Sequence, residues 1–308
     1  MKLIIIVVLF CISLGVNIFL YQSSQHRSTT AVAESNAAYP LLSSRALRNT
    51  HRNDFINNFL PLRKTLHQIT DPYHDSVAFY FDYLPTGTTI GVNEDSEFTA
   101  ASLLKVPVVM AYFHKKERLG ITADPTVSIQ QSELNSKYGD LYKKGAGAQI
   151  NLGDAVKAAL QQSDNTASLI LADQISDDDF MYVYEGLDIQ PATEDKNPII
   201  TADRYVSILR ALYYSSILNS DDSEYILDLM SKSEFHDMLP SGVPSDVPVA
   251  HKIGLIDDQI YSDCGIIYAP QRPYVLCIIS KSDRATAVNR MHDISEAIYD
   301  YVSGYENK

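Results

Sequence analysis

The sequence predicts a mixed α/β (α+β) fold in two lobes: a five-stranded antiparallel sheet covered by the N- and C-terminal helices, and a lobe made only of helices. Apolar residues alternate with a period of two in two separate regions, near the start of the folded part and again after Pro248. Between these regions, from 152 to about 235, apolar residues recur at helical spacing. The two β regions can therefore complete one sheet, while the helices between them pack as a second lobe.

The first half of the folded part begins with a helix and a hairpin. Pro61 lies inside the first helical pattern and is expected to kink or restart that helix. The predicted elements, in order, are a helix over 52–69, a strand over 77–83, a turn at Pro85-Thr-Gly87, a strand over 88–93, a helix from Ser102 to about Gly120, and a polar, loop-like stretch over 121–150.

The second half returns from helices to strands and ends in an amphipathic helix. The predicted elements are helical segments over 152–160, 166–175, 201–214 and 223–232, strands over 249–253, 260–268 and 274–281, and a last helix over 288–302. The serine helix leaves the edge of the sheet and enters the helical lobe, so we expect the lobes to share a cleft around Ser102.

The N-terminus carries an apolar run from Leu3 to Tyr21. As a helix this run would span about 28 Å, close to the thickness of a bilayer core. We expect residues 1–22 to be a membrane anchor, in preference to a cleaved signal, because no small-residue cleavage site follows closely. Residues 23–50 are then a flexible linker. Residues 51–308 form the folded domain outside the cytoplasmic membrane, with a helical lobe over about 103–245 inserted in the sheet lobe.

Composition limits the classes of partner. The chain has 308 residues, 45% of them hydrophobic, and a formal net charge of −13. That charge argues against a nucleic-acid partner, which needs a basic surface. No cysteine or histidine spacing is typical of a metal site, so we expect no metal and no cofactor. We expect a monomer.

Two of the three cysteines, Cys264 and Cys277, lie on strand-like runs joined by Pro270-Gln-Arg-Pro273. A disulfide between them is compatible with an oxidising compartment. Two separately buried thiols are the favoured alternative, because cysteine is commonly a core residue.

The first chemical motif is S-x-x-K, formed by Ser102 and Lys105. Side chains three apart lie on one helix face, and a neutral lysine there could take the serine proton. Neutrality near pH 7 needs a fall of roughly 3 pKa units, which burial and a second cation could produce. The alternative is a helix-start serine beside a solvated lysine.

Two further motifs follow in order: Ser163-Asp164-Asn165, and Lys252-Ile253-Gly254 on a strand. With S-x-x-K, this series resembles the S-x-x-K, S-D-N and K-[T/S]-G signature of class A β-lactamases and penicillin-binding serine hydrolases. The resemblance covers roughly 52–303 and extends to the run from Ser163 to Gln174 and to Leu239-Pro240 ahead of Val249.

The resemblance implies a role for each matching residue. Ser102 would be the nucleophile, Lys105 its base, Lys252 the second cation, and Ser163 a proton relay to the leaving nitrogen. Asn165 would hold Lys105 and the substrate amide, and Asp164 would be structural. Gly254 would let substrate backbone lie against the strand. The oxyanion would lie between the backbone N–H groups of Ser102 and Leu255.

The chain departs from the family pattern in three places. Ile253 replaces the usual threonine or serine, and Cys264 stands where an arginine is frequent, so we expect weaker binding of a substrate carboxylate. The segment 187–202 is too short for the E-x-x-L-N omega loop that supplies the deacylating glutamate. Glu194 and Asp195 lie in it, but charges in loops are usually exposed and unengaged.

The sequence therefore predicts a serine hydrolase of the class A β-lactamase type. It would form an acyl-enzyme on β-lactams or D-Ala-D-Ala stem peptides of peptidoglycan, with slow deacylation. The alternative is a non-catalytic or acylation-only module that binds penicillin or peptidoglycan. A weaker third alternative is a tethered structural protein.

Overall fold

The computed structural model describes residues 55–194, 197–257 and 259–306. Ile56–Glu306 forms one compact unit. The predicted anchor and linker lie outside the described residues. Within the part of the chain that is described, no helix is long and apolar enough to cross a membrane.

The elements follow the predicted order. They are α1 (Leu60–Thr70), β1 (Val77–Tyr83), β2 (Thr88–Val92), β3 (Phe98–Thr99), a 3₁₀ turn (Ala101–Leu104), α2 (Lys105–Leu119), β4 (Thr126–Ser128), β5 (Gln149–Asn151), α3 (Leu152–Gln161), α4 (Asn165–Ala172), α5 (Asp177–Glu185), β6 (Ala192–Glu194), β7 (Asn197–Ile200), α6 (Ala202–Tyr213), α7 (Ser220–Ser231), β8 (Val249–Ile256), β9 (Ile260–Ile267), β10 (Tyr274–Lys281) and α8 (Arg284–Gly304).

The main sheet has five strands in the order β2-β1-β10-β9-β8, and every neighbouring pair is antiparallel. This confirms the predicted sheet, in which the strands from both ends of the domain join through β1 and β10. Strand β8 runs three residues beyond its predicted end because it pairs with β9 as far as Ile256. It forms an edge of the sheet, next to the cleft.

Each face of the sheet is covered by its own apolar cluster. On one face, Phe79 and Ile278 pack with residues of α1 and α8, such as Leu66 and Ile294. On the other face, residues such as Val275 pack with the helical lobe. Because side chains alternate across a strand, the two clusters explain why β9 and β10 are buried along nearly their whole length.

Several local predictions are wrong in detail. Residues 55–59 are not helical, and α1 begins at Leu60 with Pro61 in its first turn. Proline is favoured there because the first N–H groups of a helix have no partner within it. Helix α5 was not predicted, since its acidic start resembles a loop. It begins with a capping box between Ser176 and Asp179.

The polar stretches contain short pairings that the sequence does not reveal. Strands β4 and β5 pair within the predicted loop over 121–150. Strand β7 pairs with both β6 and β3, which makes a small sheet over the segment predicted to lack structure. Each of these strands has only two to four residues, too few for a period-two pattern to stand out.

Cys264 and Cys277 form a disulfide, so the favoured prediction of two separate thiols is wrong. They are direct partners in the antiparallel register of β9 and β10. Opposed residues on one face of such a pair have adjacent Cβ atoms. Both side chains are fully buried. Lys252 is the partner of Cys264 on the next strand.

Candidate active site

Ser102 lies in the 3₁₀ turn just before α2, rather than in the α-helix itself. Two contacts fix the backbone around it: Ala100 N donates to Pro198 O at 2.7 Å, and the buried Tyr205 hydroxyl donates to Leu103 O at 3.1 Å. Ala101 has a φ of +47°, a left-handed conformation that is unusual for alanine. The turn is thus held between β7 and α6 in a strained conformation that presents the serine.

Lys105 contacts both of its predicted partners. Its Nζ lies 2.7 Å from Ser102 Oγ and 2.7 Å from Asn165 Oδ1. The side chain is 5% exposed. Burial lowers the pKa of Lys105 to about 8, and the nearby Asp164 carboxylate opposes this fall. A large fraction of Lys105 is therefore neutral near pH 8 and able to accept the serine proton.

Lys252 and Ser163 form a second pair behind the first. Lys252 Nζ lies 2.8 Å from Ser163 Oγ and also donates to Ile253 O at 3.3 Å. Burial and repulsion by Lys105 hold the pKa of Lys252 well below its usual range, while Asp263 opposes the fall. A second lysine is therefore close to Lys105, as the argument from the Lys105 pKa required. Their repulsion lowers the pKa of Lys252, whereas burial, and not Lys252, lowers the pKa of Lys105.

An open cleft of about 550 Å³ exposes part of this arrangement. Ser102, Lys105, Asn165 and Leu255 line it. The remaining predicted residues do not: Ser163 and Lys252 are each 1% exposed and lie beneath the cleft wall. The four predicted catalytic side chains thus form two hydrogen-bonded pairs, Ser102–Lys105 and Ser163–Lys252, which are close enough for Lys105 to repel Lys252. The first pair lies at the surface of the cleft.

Gly254 is closely packed and does not line the cleft. A Cβ atom at this position would lie 2.4 Å from Ser262 Oγ, 3.2 Å from Leu103 Cγ and 3.3 Å from Ala100 O. Contact with Ser262 on β9, together with the turn that carries Ser102, is therefore enough to account for a glycine here, and its role toward substrate stays a prediction. Leu255 does line the cleft beside Ser102, and the oxyanion role of their N–H groups remains a prediction.

Asp164 is structural, as predicted. It caps α4: one carboxylate oxygen accepts from Ala167 N at 2.8 Å, and the other accepts from Leu141 N at 2.8 Å. Gly139 packs so closely that a Cβ atom there would lie 2.0 Å from the same carboxylate. This residue therefore ties the loop over 139–141 to the start of the helix that carries Asn165.

Replacing Asp164 with alanine is expected to lower the free energy of unfolding by about 3 kcal/mol, because a helix cap and a buried hydrogen bond are lost together. Urea denaturation measures the change. Asp283→Ala is the matched control, since Asp283 caps α8 in the same way but is exposed. The control should lose clearly less stability, and equal losses would contradict the tying role.

The departures from the family pattern leave β8 and its neighbour without the usual polar groups. Ile253 packs in the core on the opposite face of the sheet, and Cys264 is in the disulfide. Glu194 is exposed and does not line the cleft, and Asp195 lies outside the described residues. Asn197 and Pro198 of β7 line the cleft instead.

Sequence reasoning missed Asn197, which lines the cleft, and Asn135, which contacts the lining residue Asn165. Asn197 follows a stretch without recognisable motif, and Asn135 lies in the polar stretch over 121–150. Asn135 Oδ1 accepts from Asn165 Nδ2 at 3.3 Å across thirty positions of the chain. A single long-range contact of this kind leaves no periodic signal in the sequence.

Comparisons with known proteins agree with this fold. A point variant of PBP-A, solved as its acyl-enzyme with penicillin G, is 18% identical, with a TM-score of 0.74 over 80% of this chain and 97% of that one. A beta-lactamase from Sphaerobacter thermophilus is 19% identical, with a TM-score of 0.72 over 82% and 100%. A class A beta-lactamase representative from Bacteroides cellulosilyticus is 21% identical, with a TM-score of 0.71 over 79% and 99%.

At these identities, the solved structures establish the fold alone. A family model, described as the beta-lactamase enzyme family, matches residues 61–302, which is nearly all of the folded domain. The match spans the three motifs in their order along the chain, from Ser102 to Gly254. On this match and the shared two-lobed fold, the chain belongs to the beta-lactamase enzyme family.

Proposed function

We propose that this protein is a serine acyl-transfer enzyme whose Ser102 is acylated by β-lactams or by D-Ala-D-Ala stem peptides. The observation that carries the proposal is the position of Lys105 Nζ, 2.7 Å from both Ser102 Oγ and Asn165 Oδ1. A buried lysine with a pKa of about 8 is suited to act as a base at neutral to mildly alkaline pH.

The proposed acylation moves one proton and exchanges one bond. Neutral Lys105 takes the proton from Ser102 Oγ, and the oxygen forms a bond to the substrate carbonyl carbon. The N–H groups of Ser102 and Leu255 would stabilise the oxyanion. The carbon–nitrogen bond then breaks, and Ser163 gives its hydroxyl proton to the leaving nitrogen and takes a replacement from Lys252, which donates to it. The proton that Lys105 took from Ser102 replaces the one lost by Lys252, so the net result is one proton moved from Ser102 to the nitrogen. The product is an ester on Ser102.

Deacylation is proposed to be slow. Among the described residues that line the cleft, the one carboxylate is Asp257, at the end of β8. The β7 side offers Asn197 and Pro198, and neither can act as a general base for water. The acyl-enzyme should therefore accumulate, which is behaviour of a penicillin-binding protein more than of an efficient β-lactamase.

The second candidate is an acylation-only or non-catalytic module that binds peptidoglycan. Two observations favour it: Ile253 and Cys264 replace the hydroxyl and the arginine that the family pattern offers to a substrate carboxylate, and Ser163 and Lys252 are almost fully buried. In such a module the wall-binding function would not depend on Ser102.

We also propose that the domain lies outside the cytoplasmic membrane, held by the apolar N-terminal run or secreted if that run is cleaved. The apolar run from Leu3 to Tyr21 supports an anchor. The Cys264–Cys277 disulfide supports an oxidising compartment. Fractionation of cells expressing the full chain, with protease added to intact spheroplasts, tests this topology, and a protected domain would contradict it.

A fluorescent penicillin tests the proposed function on the full chain. The wild type is expected to keep a covalent label through denaturing electrophoresis, and Ser102→Ala is expected to keep none. A wild type without label, or a variant labelled equally, would overturn the proposal. If label is absent and peptidoglycan pull-down is unchanged in Ser102→Ala, the binding module is the better account.

A further inference from the structure

We propose that Asn135 is a positioning residue for Lys105: it sets the orientation of the Asn165 side-chain amide, and through it the hydrogen bond from Lys105. The expected effect on acylation rests on the proposed function, whereas the positioning of Lys105 does not. The arrangement itself is a chain of contacts from Ser102 through Lys105 and Asn165 to Asn135.

The donors and acceptors in this chain can be arranged in one way only. Asn135 Oδ1 accepts from the backbone N–H of Lys137 at 3.0 Å. A backbone N–H can only donate, so the oxygen of the Asn135 amide must face it. The same oxygen accepts from Asn165 at 3.3 Å, so the Asn165 amide must turn its nitrogen toward Asn135. Its oxygen is thereby turned toward Lys105.

The backbone of Asn135 is held by contacts that do not involve its side chain. Thr166 Oγ1 accepts from Asn135 N at 2.9 Å and donates to Asn135 O at 3.2 Å. Asn165 N donates to Tyr138 O at 3.1 Å. The loop over 135–138 is therefore attached to the start of α4 by its backbone. A change in the Asn135 side chain can then be made without releasing that loop.

The orientation matters because Lys105 has two hydrogen-bond acceptors at 2.7 Å, Ser102 Oγ and Asn165 Oδ1. A lysine ammonium group only donates. If the Asn165 amide turned over, its NH₂ group would face Lys105 and one acceptor would be lost. Asn135 thus selects the productive one of two amide orientations.

The test compares three variants of the full chain. In Asn135→Ala the acceptor is removed, in Asn135→Asp it is kept with a negative charge, and in Thr166→Val the loop backbone is loosened while the Asn135 side chain is unchanged. Two quantities are measured: the limiting rate of acylation by penicillin G, and the pKa of Lys105 from an NMR titration of its side chain.

Asn135→Ala is expected to lower the limiting acylation rate by about 10- to 50-fold, the loss of one transition-state hydrogen bond. It should also lower the pKa of Lys105, because the charged form loses an acceptor. Asn135→Asp should keep the limiting rate within about threefold at high pH. Its added charge should raise the pKa of Lys105, which shifts the midpoint of the acylation rate profile to higher pH. Thr166→Val should lose stability but keep the Lys105 titration of the wild type.

Three results would overturn the inference: an Asn135→Ala variant with wild-type acylation and titration, an Asn135→Asp variant that fails in the same way as Asn135→Ala, or a Thr166→Val variant that shifts the titration equally. If penicillin does not acylate the wild type at all, the proposed function fails. The NMR titration still decides whether Asn135 positions Lys105, because that measurement needs no acylation.

Discussion

Replacing Lys105 with methionine is expected to slow acylation of Ser102 by about 10²–10⁴-fold, the usual contribution of a positioned general base. Methionine is similar in length and has no titratable group, so it removes the base without opening a large cavity. The time course of labelling by a fluorescent penicillin measures the effect. An acylation rate within about threefold of the wild type would show that another group takes the serine proton.

The same variant separates the pH dependence of rate from that of stability. Because the base acts when neutral, the wild-type acylation rate should rise about tenfold per pH unit and level off above pH 8, where Lys105 titrates. The rate of Lys105→Met should not show this rise. A flat wild-type profile between pH 6 and 8 would contradict the assignment of Lys105 as the base.

Lys105→Met should lower the acylation rate but raise the free energy of unfolding. The folded-state pKa of Lys105, about 8, lies below the usual lysine value of 10.5, so the folded protein binds the proton less tightly than the unfolded chain. Burial of the charge therefore costs up to about 3 kcal/mol below pH 8, and the cost is relieved as the pH rises toward 10.5. We expect Lys105→Met to be more stable than the wild type at pH 7 and to lose that advantage at high pH.

Replacing Asn197 with glutamate is expected to accelerate deacylation by about 10²-fold, because it places a carboxylate in the cleft where water can reach the ester. Asn197 lines the cleft on β7, and the adjacent Pro198 O accepts from Ala100 N, two residues before Ser102. The wild type should remain acylated after a single acylation, whereas Asn197→Glu should hydrolyse the ester and return to the free enzyme. Intact-protein mass spectrometry after removal of free penicillin measures the decay.

Two controls make this second prediction specific. Asn197→Gln has nearly the same size and no charge, so it should deacylate as slowly as the wild type. Asp257→Asn removes the carboxylate at the end of β8 and should also leave the slow decay unchanged. A fast wild type that becomes slow in Asp257→Asn would show that Asp257 already activates the water, and the proposal of slow deacylation would fall.

The site was partly predictable because its main residues lie in local motifs. Ser102 and Lys105 are one turn apart, so their contact follows from helical spacing, although the turn is 3₁₀ at the serine. The approach of Lys252 and Ser163 could be expected only from the order of the three motifs and the family resemblance. Nothing in the local sequence shows that these two side chains are buried beneath the cleft rather than on its surface.

The parts that could not be predicted depend on tertiary contacts. Ser262 and Leu103 pack closely against Gly254. From the sequence, a glycine on a strand is equally compatible with such packing and with room for substrate backbone. The β6–β7 pairing has too few residues for a pattern. The polarity of Asn135 indicated only a loop. The main sheet was predictable because its strands are long enough to show a period of two, whereas its strand order, with β1 paired to β10, was not predicted.

The redox conditions under which the protein folds should decide whether Cys264 and Cys277 are joined by a disulfide in a given preparation. Both sulfur atoms are sealed in the middle of the sheet, where a small oxidant or reductant cannot easily reach them. Chains that mature with an oxidant present and chains that mature in a reducing cell extract should therefore differ by two hydrogen atoms and keep that difference on storage. Material from the two sources should be compared by mass before any difference in penicillin binding is assigned to the sequence.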